Sequence, residues 1–267
     1  MVTERSEKPM RVFSNRDEDP KLLDMVGNIL LYRRDYITRV PQDEAVVMAF
    51  SGGLDSTTTI DMVIRDWNVT VYPLFVRRSA RATQYEEEAA RYFVDFYNKR
   101  FPGKIKPLEV VETEVPPLQF KKYPEADRLQ RLGHPHRNVV LQALAVQYGQ
   151  KLRATGEPNL STVLTSTVGD DSFPHSSLLA LRTMTLLTCE DTGDWNWQVV
   201  SPLIDTEFEG RPICKKDLIK YALENDIPLD KTRTCIEGGE PDGTCAECTC
   251  RLRAFEQAGV KDPIKYK

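Results

Sequence analysis

No stretch of this 267-residue sequence approaches the roughly 20 consecutive apolar residues that cross a bilayer. The N-terminal run "MVTERSEKPMRVF" lacks the apolar core of a secretory signal. Both absences predict a cytoplasmic protein with no membrane partner. There is no excess of positive charge either: the formal net charge is -4, which argues against nucleic acid as a partner. Histidine is scarce, with three in the chain, and each reads first as structural or exposed rather than catalytic. Six cysteines without an export signal do not suggest a disulfide framework. Four of them crowd between Cys235 and Cys250, which points to a metal. Internal repeats and low-complexity tracts are missing too, and 40% hydrophobic with 28% charged residues suits one sizeable globular core.

Residues 1–19 are polar and aperiodic, and read as a flexible leader. Residues 20–44 form a helical extension: Leu22, Leu23, Met25, Val26, Ile29, Leu30 and Ile37 recur at helical spacing up to Pro41. From Ala45 the pattern changes to alternation. Apolar runs of strand length at 45–50 and 69–76, "KPLEVVETEV" and "STVLTST" are interleaved with helical patterns after the first run, at 85–97, from Arg137, at 176–187 and over "KKDLIKYALEND". This order predicts an α/β domain over 45–230, a parallel sheet with helices on both faces. Residues 231–267 hold the cysteine knot and a C-terminal helix. The acid run Glu86 to Glu88 reads as the solvated start of a helix.

The first strand runs into "SGGLDSTT". A glycine loop between a buried strand and a helix N-terminus is where anions bind, because free N–H groups and the helix dipole converge there. No lysine follows Gly53 in the Walker position, so the loop is not of the kinase type. The string Ser51-Gly52-Gly53-Leu54-Asp55-Ser56 resembles the PP-loop of the ATP pyrophosphatase superfamily, whose members split ATP between the α and β phosphates to adenylate a substrate oxygen. The resemblance implies that the backbone from Gly52 to Ser56, with the hydroxyls of Ser51, Ser56 and Thr57, cradles pyrophosphate. Asp55 and Ser56 would be catalytic, Asp55 acting through Mg²⁺ to offset charge on the leaving group.

The C-terminal cysteines follow the spacing C-x9-C-x2-C-x-C across a Gly-rich turn. Four thiolates, from Cys235, Cys245, Cys248 and Cys250, suit a closed tetrahedral zinc site. A redox pair at Cys245 and Cys248 is the alternative. Cys189 and Cys214 read as packing residues.

A PP-loop near the start and a cysteine knot at the end together resemble the 7-cyano-7-deazaguanine synthase (QueC) family. "SGGLDSTT", "TRTC" and Arg253, three residues after Cys250, fit that family's frame. Arg137 and Asn138 resemble its P-G-R-N opening of a helix near the nucleotide. Ser201 and Pro202 followed by Lys215 or Lys216 resemble its T-P-L and lysine segment. The resemblance implies ATP, Mg²⁺ and a structural Zn²⁺ as cofactors, with Arg137 and Lys216 catalytic and Asn138 on the nucleotide. It further implies adenylation of 7-carboxy-7-deazaguanine, attack by ammonia to an amide, and dehydration to the nitrile with a second ATP. The departures fall in "VRRSARAT" and "GDDSFPHSS", after two strands, where ligands bind in open parallel sheets. Arg77, Arg78, Asp170, Asp171 and His175 are therefore the expected substrate contacts. These departures and the N-terminal extension resemble a divergent branch of anti-phage defence operons, which joins the deazaguanine to a protein amine. A protein acceptor and a second copy of the chain are thus further candidate partners. Two rival readings are an asparagine-synthetase-like amide ligase, which lacks the cysteine knot, and a tRNA-modifying PP-loop enzyme, which carries more positive charge.

Overall fold

A computed structural model describes residues 19–120 and 133–267. The leader expected over 1–19 lies outside them, apart from Asp19. Five strands form one parallel sheet: β1 (Ala45–Ala49), β2 (Thr70–Arg77), β3 (Glu109–Glu112), β4 (Thr162–Leu164) and β5 (Gln198–Val200). Their order is β3-β2-β1-β4-β5. The helices are α1 (Pro20–Arg34), α2 (Leu54–Trp67), α3 (Thr83–Arg100), α4 (Arg137–Thr155), α5 (Leu178–Thr192), the single turn α6 (Thr206–Glu209), α7 (Lys215–Glu224) and α8 (Ala246–Ala258). Among the described residues no helix is long and apolar enough to span a membrane.

β1 sits mid-sheet and is covered on both sides, so its residues form a continuous apolar run. Val46 and Met48 point to one face, where they join Ile60, Val63, Phe93, Leu218 and Phe255 of α2, α3, α7 and α8. Val47 points to the other, with Ala145, Leu181 and Trp197, under α4 and α5. The two-layer covering expected from the alternation is thus present. Gly149 of α4 makes the second layer close: a Cβ there would lie 2.7 Å from the Trp197 ring.

β5 escaped the sequence reading, since "QVV" is three residues long and carries no turn signal of its own. The N-terminal helix is shorter than expected. Asp35 takes a left-handed conformation (φ 62°) and its N–H caps Leu31, so the chain turns before Pro41. Arg34 then fastens the turn by donating from Nη1 to the Trp197 carbonyl at 2.7 Å. α1 packs on α5, burying Gly27 and Leu30.

β1 and β4 are neighbours in the sheet but distant in sequence, and the connections leave them in opposite directions. The crevice at their carboxyl ends is the switch point where open α/β sheets bind ligands. Ser51 to Gly53 leave β1 there, and Thr165 to Thr167 leave β4.

Candidate active site

The loop after β1 has a shape only glycine permits. Gly52 has φ 68°, and a Cβ on it would lie 2.4 Å from the Ala90 nitrogen of α3. Gly53 is the N-cap of α2. Its N–H donates to Ser51 Oγ at 3.3 Å, and Ser56 Oγ donates to the Gly53 carbonyl at the same distance. The first turn of α2 leaves N–H groups without helical partners, aimed into the crevice with the positive end of the helix dipole. The hydroxyl of buried Tyr97 steadies α2 by donating to the Thr57 carbonyl at 2.9 Å.

Asp55 opens on this cleft. Lys215, at the first position of α7, donates from Nζ to Asp55 Oδ2 at 2.6 Å. Burial works against the lysine charge, but Asp55, with Glu247 and Asp171 nearby, outweighs it and holds the ammonium pKa above its ordinary value. Asp55 Oδ1 is buried and has no hydrogen-bond partner among the described residues. A buried carboxylate oxygen left open beside a phosphate-binding loop fits a hard dication such as Mg²⁺.

Two hollows meet at this point. One, of about 210 Å³, is lined by the loop with Lys215, Arg233 and Thr234. The other, of about 300 Å³, runs past Phe50, Asn138, Gln142, Phe173 and His175. Ser51, Arg78, Glu86, Arg137, Ser166 and Glu247 line both, so they mark the junction. Arg78 Nη2 bonds both oxygens of Glu86, at 3.0 and 3.3 Å. Burial, and then the nearby Arg78 charge, lower the Arg137 pKa. Burial raises that of Glu247. The rings of Phe173 and His175 stack at 5.2 Å along the wider hollow.

The C-terminal segment locks onto the loop from behind. The Arg233 N–H donates to the Gly52 carbonyl at 3.0 Å. Arg251 of α8, 2% exposed, holds the same segment through Thr232 (2.6 Å) and Thr234 (3.2 Å) while pairing with buried Asp262 at 2.7 Å. Beside it, the ligand atoms of Cys235, Asp242, Cys245 and Cys248 lie within 4.8 Å of one another. Asp242 Oδ1 accepts from the Cys245 N–H at 3.1 Å, which together with the Thr244 N–H keeps its carboxyl well below the usual range. Three sulfurs and one carboxylate oxygen can hold a metal ion, and the set fits zinc.

A family model described as "Queuosine biosynthesis protein QueC" matches residues 45–259. The chain belongs to the QueC family. "7-Cyano-7-deazaguanine synthase 2" of Desulfitobacterium hafniense is 30% identical over 225 residues, covering 82% of this chain and 92% of that protein. "7-Cyano-7-deazaguanine synthase" of Acetivibrio thermocellus is 26% identical over 225 residues, covering 82% of this chain and 96% of the other. The matched region begins at β1 and leaves α1 outside it. Membership and the PP-loop in place at the switch point make this QueC-family chain an ATP-dependent ligase.

The cleft of this QueC-family protein gathers most of the expected residues and corrects several. Ser51, Gly53, Leu54, Asp55, Ser56, Arg78, Arg137, Asn138, Asp171 and His175 all line it. Thr57 is fully buried one position further along α2, beneath the loop. Lys216 does not reach the cleft: it lies on the exposed side of α7, and its neighbour Lys215 takes the place beside Asp55. Arg77 is likewise turned away, because successive side chains at a strand end point to opposite faces. It pairs with Glu87 at 2.7 Å over a separate surface hollow. Asp170 is committed to the fold, accepting from the Lys215 N–H at 3.0 Å. Glu86, read as solvated, is 8% exposed and faces Arg78. Cys250 departs from the metal cluster because Cys248 and Cys250 share α8, where residues two apart point nearly opposite ways. Asp242 stands in its place. Of the lysine pair the sequence singled out the wrong member, and Glu86 and Glu247 were missed, since two ordinary acids give no pattern that sets them apart.

Proposed function

We propose that this protein adenylates the carboxylate of 7-carboxy-7-deazaguanine with ATP and transfers the acyl group to ammonia. The observation that carries this reading is the position of Asp55, in the first turn of α2 at the PP-loop, with one oxygen on Lys215 and the other without a partner among the described residues. A carboxylate oxygen attacks the α-phosphorus, and the bond to the bridging oxygen breaks with its electrons leaving on pyrophosphate. The loop N–H groups with Ser51 and Ser56 hold the departing pyrophosphate, and Lys215 faces the charge building on the α-phosphoryl group. Mg²⁺ held at Asp55 would neutralise further charge there. Ammonia then adds to the acyl carbon, AMP leaves, and a proton is lost to give the amide. Dehydration repeats the activation with a second ATP: the amide oxygen attacks phosphorus, and loss of two N–H protons with AMP leaves the nitrile.

Arg137 and Asn138, at the start of α4, contact the nucleotide in this reading. Arg78, Asp171, Phe173 and His175 meet the deazaguanine in the wider hollow. Cys235, Asp242, Cys245 and Cys248 hold zinc that fixes the Thr232–Cys235 segment against Gly52. A larger amine is the second reading, as in the defence-associated branch. It is favoured by Arg78 and the Phe173–His175 stack, which come from the segments that depart from the family frame.

Mass spectrometry of products from ATP and the deazaguanine acid tests both. Amide or nitrile with ammonia supports the first reading, and a protein adduct supports the second. Formation of neither with this acid, while other acids are adenylated, would remove the substrate assignment.

A further inference from the structure

Asp55, Glu86, Asp171 and Glu247 are the acids that line the two hollows. Three of them are committed: Asp55 holds Lys215, Glu86 gives both oxygens to Arg78, and Asp171 accepts from the Phe173 N–H. Glu247 differs. It faces Lys215, Arg137, Asp55 and Asp171 across the cleft, and among the described residues it forms no hydrogen bond or ion pair with any of them. An acid in the first turn of α8 suits the helix dipole, but the dipole alone does not require it to line the cleft half-buried.

With ATP and the substrate acid bound, Lys215 and Arg137 face phosphate and carboxylate oxygens, and Glu247 is left as an uncompensated anion beside further anions. That arrangement is costly without a cation of its own. Glu247 lines both hollows, so it flanks the point where an acid from one meets a phosphate from the other. The nearby charges of Lys215 and Arg137 oppose a second dication there more strongly than a monovalent cation. We propose that Glu247 binds the incoming amine, its carboxylate accepting N–H bonds from ammonium or a primary amine and holding the nitrogen beside the acyl carbon. This rests on the adenylation reading above. Ammonium held there gives one proton to water, and the freed nitrogen pair adds to the acyl carbon. The carbon–oxygen bond to AMP then breaks with its electrons leaving on the phosphate, and a second proton passes to water to give the amide.

Two assays separate the steps. ATP–pyrophosphate exchange with the acid and no amine reads adenylation alone, whereas amide formation against ammonium concentration reads the amine step. Glu247→Gln is expected to raise the KM for ammonium about 10- to 100-fold and to change the exchange rate by less than about threefold. Hydroxylamine, a nucleophile uncharged near neutral pH, should still give hydroxamate on this variant at close to the wild-type rate. Methylamine beside ammonium tells whether the site takes ammonia or a larger amine, and Glu247→Gln should weaken whichever is used. Metal content is measured in parallel, because Glu247 lies between Cys245 and Cys248. Glu247→Asp keeps the charge, should fall between wild type and Glu247→Gln, and supplies the reading should the latter lose its metal. An unchanged KM for ammonium would overturn the proposal. So would exchange that falls in step with amide formation, which would assign Glu247 to Mg²⁺ or ATP, or a raised KM for the acid in exchange, which would assign it to the deazaguanine. A wild type without exchange would count against the adenylation reading instead.

Discussion

At one end of the cleft the consecutive residues Ser51 to Thr57 supply backbone donors, hydroxyls and the carboxylate that holds Lys215. At the other end Phe50, Gln142, Phe173 and His175 arrive from separate segments of the chain, with Arg78, Glu86, Arg137 and Glu247 at the junction between the two. The first end rests on a helix N-terminus and on glycine geometry, which only a short contiguous string can provide. The second rests on side chains that the sheet merely brings together. A phosphate site built in the first way tolerates little change, whereas a wall built in the second can be altered residue by residue while the loop stays intact. The QueC match over 45–259 spans both ends of the cleft.

The largest effect is expected at the loop. Asp55→Ala should reduce pyrophosphate release by on the order of 10³-fold with little change in melting temperature. Next comes Lys215→Ala, at about 10²-fold, while Lys216→Ala should stay within about twofold because its side chain is exposed. Steady-state rates of the two lysine variants, measured side by side, would break the account if they were reversed. Behind the loop, Arg251→Ala leaves buried Asp262 without its cation and removes the bond to Thr232, and should cost about 3–5 kcal/mol in denaturant unfolding. A loss below about 1 kcal/mol would show that the segment does not depend on this pair.

The wall should respond more gently and more selectively. Arg78→Ala is expected to raise the KM for the acid roughly 10- to 100-fold and leave the KM for ATP unchanged, with Glu86→Gln smaller in the same direction. Arg77→Ala should alter neither. Equal changes in both KM values would mean that the two ends are one site after all. Smallest of all is the effect of Cys250→Ser, which should retain one metal per chain, whereas Asp242→Ala or Cys248→Ser should lose it. Metal analysis of the three purified variants separates these outcomes.

What the sequence revealed follows the same division. The loop, the parallel sheet and the cysteine-rich end each leave a local signature: a glycine pair after an apolar run, alternation of periods, a tight spacing. Other features depend on direction rather than spacing. Which of two adjacent lysines enters the cleft is decided by the rotation of α7. Which of two adjacent arginines does so is decided by the pleat of β2. Glu86 looked like the front of a solvated helix, and its burial against Arg78 arises only when α3 lies over the end of β2. Cys250 satisfied a count of four thiols, but a helix through Cys248 sends it elsewhere, and Asp242 had no thiol to mark it.

The central claim is that an oxygen of the substrate acid attacks the α-phosphorus of ATP, and carboxylate labelling tests it most directly. With 7-carboxy-7-deazaguanine carrying ¹⁸O in its carboxylate, ammonia and ATP, the AMP released should carry one ¹⁸O in its phosphate, and pyrophosphate should carry none. Unlabelled AMP, or ADP with orthophosphate in its place, would contradict the account.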